Sequence, residues 1–142
     1  MALFFFLLTL DDLRAVDLSQ QAWKKYLDMK SRNPKDSDDS VMVMVLAQFW
    51  EKLKDEPRTG VSKFNLDSGW LIPGDIKIQP WCVFHRTASR EEIWMALLCQ
   101  ILRLPISRVS DLLGLSQGTI RYRLSRAVKK MGRIALEQGG FI

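Results

Sequence analysis

Along the chain, stretches in which apolar residues return every three or four positions alternate with polar, proline- or glycine-marked breaks. This is the pattern of amphipathic helices joined by loops. Leu10, Leu13, Val16, Trp23, Tyr26 and Leu27 keep that spacing, with Thr9 as N-cap and Asp12 at its N3 position, which predicts one or two helices over residues 10–31 with this stripe turned inward. The polar run "SRNPKDSDDS" reads as a loop ending in capping residues. Val41, Val45, Leu46, Phe49, Trp50 and Leu53 then mark a helix over residues 37–54 that stops ahead of Pro57. Asp38 and Asp39 at its start suit the helix dipole. From 57 to 84 the helical period is lost among Gly60, Gly69, Pro73, Gly74 and Pro80, and "WLIPGDIKI" fits a short hairpin as well as an irregular linker.

Helical spacing returns at Ser89, which forms a capping-box pattern with Glu92, and Ile93, Trp94, Leu97, Leu98, Ile101 and Leu102 give the next helix a broad apolar face. After Pro105, Ile106, Val109, Leu112 and Leu113 share one side of a short helix, Gly114 can close it in the left-handed conformation, and Ser116 can cap a third helix. On that helix Ile120, Leu124, Ala127, Val128 and Met131 form the inward stripe. Arg121, Tyr122, Arg123, Arg126, Lys129 and Lys130 fall on its other faces. A short helix, a tight glycine turn and a second helix opening with small polar residues is a helix-turn-helix, whose DNA-binding form lays the start of the second helix in the major groove.

Charge sharpens this picture because of where it sits. The net charge is +5, yet residues 1–80 carry 11 Lys and Arg against 12 Asp and Glu, while residues 86–133 carry 10 Lys and Arg against 3 acidic residues. The excess coincides with the helix-turn-helix. The best-placed base readers are Gln117, Thr119, Arg121 and Tyr122; Ser116, Arg123, Arg126, Lys129 and Lys130 are candidates for phosphate. Trp23, Trp50 and Trp94 lie on apolar helical faces and read as core, whereas Trp70 and Trp81 read as pins for the irregular segment. The alternative for the third helix is a solvated basic face that contacts nothing.

The remaining chemistry is sparse. Cys82, Cys99 and a lone His85 make neither a disulfide framework nor a metal ligand set, and no phosphate-cradling loop or nucleophile–base pair is visible, so no enzyme activity, metal or cofactor is expected. The opening "MALFFFLLTL" lacks a basic flank and a small-residue cleavage site, and about nine apolar residues are too few to span a bilayer. It reads as a terminus packed on the body or on a partner, in a cytoplasmic protein.

The segment "LPISRVSDLLGLSQGTIRYRLSRAVKKM" resembles region four of bacterial RNA polymerase sigma factors, above all the extracytoplasmic-function type. The family's "S-x-G-T-V-x-x-R-L-x-R-A-x-x-x-L" pattern is met by Ser116, Gly118, Thr119, Ile120, Arg123, Leu124, Arg126, Ala127 and Met131. With the preceding helix, the resemblance covers residues 89–133, about a third of the chain. It implies that the third helix recognises a promoter element while the neighbouring apolar surface docks on polymerase. Where the family has an acidic residue and then Ile-Ala in the second helix, this chain has Arg108, Val109 and Ser110, and residues 1–60 carry no segment like the family's promoter-melting region two.

The expected fold is therefore mainly α: an N-terminal helical partner or dimer region (1–56), a linker (57–86) and a C-terminal three-helix unit (87–137). Two functions stay open. One is a DNA-binding transcription regulator, with double-stranded DNA as partner and a homodimer as an option. The other is a protein-interaction module, a sigma-like subunit or mimic that binds RNA polymerase or a second sigma-like subunit.

Overall fold

The computed structural model describes residues 1–57, 62–64 and 78–138. The described residues form α1 (Ala2–Thr9), α2 (Asp12–Arg32), α3 (Asp38–Leu53), α4 (Ile78–Thr87), α5 (Arg90–Ala96) continuing into a π turn (Leu97–Ile101), α6 (Ile106–Leu113) and α7 (Gln117–Gln138). Among these residues the only extended pairing is an isolated bridge between Asp11 and Lys63, so the fold is mainly α as expected. The candidate hairpin of residues 70–78 lies outside the described residues except for Ile78, and so does Trp70.

The apolar N-terminus is core. Phe4, Phe5 and Phe6 are at most 1% exposed, with the Phe4 ring edge-on to Trp94 at 5.3 Å and Phe5 edge-on to Phe49 at 5.1 Å. A helix apolar on every side has no solvent face, so α1 is stable only when enclosed by others. Its C-terminal carbonyls, which lack partners within the helix, are met from α4: Trp81 Nε1 donates to the Leu7 carbonyl at 2.9 Å and His85 Nε2 lies 2.7 Å from that of Leu8. Trp81 thus anchors α1 to a helix, and residues 78–86 of the expected linker (57–86) are helical. Pro80 misled that reading; it sits in the first turn of α4, where no amide donor is needed.

Two expectations for α2 are corrected. Thr9 still belongs to α1, where its hydroxyl donates to the Phe5 carbonyl at 2.8 Å. After Leu10 turns the chain with φ 49°, Asp11 is the N-cap, accepting from the Arg14 amide at 3.1 Å. The inward face of α2 is Ala15, Leu18 and Ala22. Leu13, Val16, Trp23 and Leu27 point outward, at 84, 46, 55 and 50% exposure, so Trp23 is not a core residue. Small side chains let α2 lie close against its neighbours, and burial follows that close approach rather than side-chain size.

After the loop that follows α2, α3 falls within the helix that the spacing indicated over residues 37–54. Ser37 caps α3 by accepting from the Ser40 amide at 3.1 Å, and Asp38 receives the Tyr26 hydroxyl at 2.8 Å and the Lys30 ammonium at 3.1 Å, joining the end of α2 to the start of α3. The far end of α3 is held by Arg90, whose guanidinium donates to the carbonyls of Leu53 at 2.6 Å and Lys54 at 2.8 Å. Arg108 on α6 reaches Ser40 at 3.1 Å. The buried apolar residues of all these helices belong to one cluster, and no charged or polar residue is buried among those described.

Candidate nucleic-acid interface

Ser89 and Glu92 close the capping box that opens α5: the Ser89 hydroxyl accepts from the Glu92 amide at 3.1 Å and the Glu92 carboxylate from the Ser89 amide at 3.3 Å. The helix then widens, with the Leu102 amide bonded to the Leu97 carbonyl at 3.0 Å, five residues back. The extra residue of a π turn rotates the side chains beyond it about the helix axis, and Ile101, expected on the apolar face, is 42% exposed.

Pro105 sets the start of α6 from an extended conformation. Its end is fixed by Gly114, whose φ of 68° directs its amide to the Ser110 carbonyl at 2.9 Å. The Leu115 amide bonds the same carbonyl at 3.2 Å, and the Ser110 hydroxyl donates to the Leu115 carbonyl. Two residues later Ser116 caps α7, accepting from the Thr119 amide at 3.1 Å and sharing a 2.8 Å hydrogen bond with the Thr119 hydroxyl. Ile120, Ala127 and Ile134 face the core, with Leu124 and Met131 half-buried beside them. Val128, expected on the inward stripe, is 43% exposed, because the seam begun by Ile120 continues through Ala127 and Ile134.

The sequence-nominated residues divide into two sets. Ser116, Gln117, Arg121, Tyr122, Arg126 and Lys129 are exposed, and Thr119 is half-buried with its hydroxyl engaged at the cap. Gln117 and Arg121 lie one turn apart on the exposed side. The Arg126 guanidinium sits 5.9 Å from the centre of the Tyr122 ring, a cation–π contact. Arg123 and Lys130 are instead turned to α5. Arg123 pairs with Glu91, and Lys130 lies 3.1 Å from Glu92 Oε2 and 3.3 Å from Oε1. The Oε2 contact is an ion pair without hydrogen-bond alignment. Burial pushes the Glu92 carboxyl up, but the Ser89 amide and the Lys130 ammonium together outweigh it and hold the group below its ordinary value.

Arg133, not nominated from sequence, is exposed and shares the outward strip of Tyr122, Arg126 and Lys129, at spacings of four, three and four residues. That spacing was a readable signal. The Arg123 and Lys130 pairings had none, since Glu91 and Glu92 lie more than 30 residues away in sequence. Before Glu137, α7 carries no acidic residue.

A short helix, a left-handed glycine and a serine-capped helix with an outward cationic strip define the helix-turn-helix class. Within it, residues 97–131 match the family model described as Sigma-70, region 4, so the helix-turn-helix is sigma-factor-like and of a transcription-related kind. The match begins in the π turn and ends at Met131. No curated protein and no solved structure matches the chain. Among the described residues no helix is long and apolar enough to cross a membrane, and no group of three or more His, Cys, Asp or Glu could hold a metal ion.

Proposed function

We propose that the chain is a cytoplasmic transcription regulator that binds duplex DNA through α7. Its capped start enters the major groove, with Gln117, Thr119, Arg121 and Tyr122 against base edges. Ser116, Arg126, Lys129 and Arg133 meet phosphates. The observation that supports this reading is the exposure of the Ser116 end together with the outward cations, an arrangement in which helix-start amides and positive side chains face a polyanion from one side. Arg123 and Lys130 take no part in DNA contact in this reading, because their charges serve Glu91 and Glu92.

Selection of bound sequences from a random duplex pool at two ionic strengths tests it. A preferred site should emerge, and Gln117→Ala or Arg121→Ala should cost about 1–3 kcal/mol and relax the preference at one base. Equal affinity for every duplex at fixed salt would reduce the protein to a sequence-neutral binder.

The internal pairing of two basic residues also favours a second reading. With fewer cations free, the sigma-like unit would serve as a protein-interaction module that holds RNA polymerase or a second sigma-like subunit. Capture of core polymerase without DNA, together with no selected site, would establish that reading in place of the first.

A further inference from the structure

The outward face of α2 carries its own apolar seam. Leu13, Val16, Gln20, Trp23 and Leu27 succeed one another at alternating spacings of three, four, three and four residues, the repeat by which two helices pair along their length. The seam lies opposite the Ala15, Leu18 and Ala22 face that packs into the core. Its apolar members are between 46 and 84% exposed, and Trp23 is stacked on Tyr26 with the rings 10° from parallel and 5.5 Å apart. At 21 residues, α2 is about 31 Å long, enough for a paired interface.

We propose that this seam is a homodimer interface in which α2 packs antiparallel on α2 of a second copy. The charges beside the seam select both the occupant and the direction. Asp17 and Lys24 flank it on the same side, one near each end, and Lys24 has no ion-pair partner among the described residues. A two-fold axis that reverses the helix sets Val16 against Leu27 of the second copy and Gln20 against Trp23 of the second copy. The same register brings Asp17 to Lys24 of the second copy, and by symmetry the pair forms twice. A parallel pair would bring Asp12 beside Asp17 of the second copy, two like charges. Four of the five seam residues, Val16, Gln20, Trp23 and Leu27, thus meet one another across the reversed pair. Gln20 is its single polar member, a position that in paired helices fixes register. The inference is independent of what α7 binds.

Sedimentation equilibrium of the full chain without nucleic acid tests it. The expected result is a mass rising with concentration from 16.4 kDa toward the dimer. Leu27→Glu should hold the protein at the monomer mass with an unchanged helical circular dichroism spectrum. Asp17→Lys and Lys24→Asp should each weaken self-association about tenfold, since two attractive pairs become two repulsive ones. An equimolar mixture of those two variants should associate as tightly as the wild type, because both cross-pairs are again opposite in sign. A mass fixed at the monomer value throughout overturns the proposal. So does self-association that survives Leu27→Glu, or that the equimolar mixture fails to restore.

Discussion

Replacing Lys129 and Lys130 by alanine, one at a time, separates the cations that α7 presents to solvent from those that hold it to α5. Lys130 is the partner of Glu92, whose side chain is only 14% exposed. Its removal leaves a nearly buried carboxylate with Ser89 alone, at a cost of about 1–3 kcal/mol. For 142 residues the unfolding entropy is about 0.3 kcal/mol per kelvin, so the midpoint should fall by about 3–10 °C. Lys129 is exposed and has no ion-pair partner among the described residues, so Lys129→Ala should stay within about 0.5 kcal/mol of the wild type.

On DNA the order reverses. In the proposed complex the three cationic phosphate contacts, from Arg126, Lys129 and Arg133, would give a log–log salt slope near −2.7, so raising salt from about 50 to about 200 mM should weaken binding roughly 40-fold. Lys129→Ala should lower that factor to about 12, while Lys130→Ala leaves it near 40. Calorimetry reads the first effect, and fluorescence anisotropy on a selected duplex across a salt titration reads the second. If Lys130→Ala lowers the salt slope as Lys129→Ala does while its melting midpoint stays put, Lys130 reaches phosphate in solution and the division drawn between the two lysines is wrong.

Phe5→Ala removes a ring with 0% exposure and should cost about 3–5 kcal/mol, a midpoint drop of about 10–17 °C by calorimetry; a drop of only a few degrees would mean that α1 is not part of the common core. Gly114→Ala, at φ 68°, should destabilise by about 1–2 kcal/mol in urea unfolding. Gly132→Ala, in the helical run of α7 with nothing within 4 Å of an added Cβ, should stabilise by about 0.5–1 kcal/mol. The Glu92 carboxyl titrates below its ordinary value of 4.5 in the folded chain, so its ionised form adds stability that is complete above that value. The contribution is lost as pH falls through the lower folded value. Wild type should therefore lose its stability advantage over Glu92→Gln below about pH 4.5, and an advantage that does not shrink on acidification would count against the Lys130–Glu92 pair.

The features legible in the sequence were those decided by neighbours along the chain. Gly114 and Ser116 act within one turn of themselves, and the Ser89–Glu92 box spans three residues, so residue type and spacing sufficed for each. The family likeness of residues 97–131 is likewise a local pattern. What could not be read was which face of a helix would be enclosed. α2 is apolar on two opposite sides: one made of Ala15, Leu18 and Ala22, the other of Leu13, Val16, Trp23 and Leu27. Hydrophobic period alone assigns the inside to the larger residues. The choice was made by long-range packing, since α1 and α3 pack on α2 and its buried residues are Ala15, Leu18 and Ala22. The same long-range control decides the candidate site. Arg123 and Arg126 are equivalent in the sequence pattern, yet α5 brings Glu91 to one of them and leaves the other beside Tyr122 at the surface. The number of cations available to a polyanion is therefore set by the packing of α5 on α7 as much as by how many α7 carries.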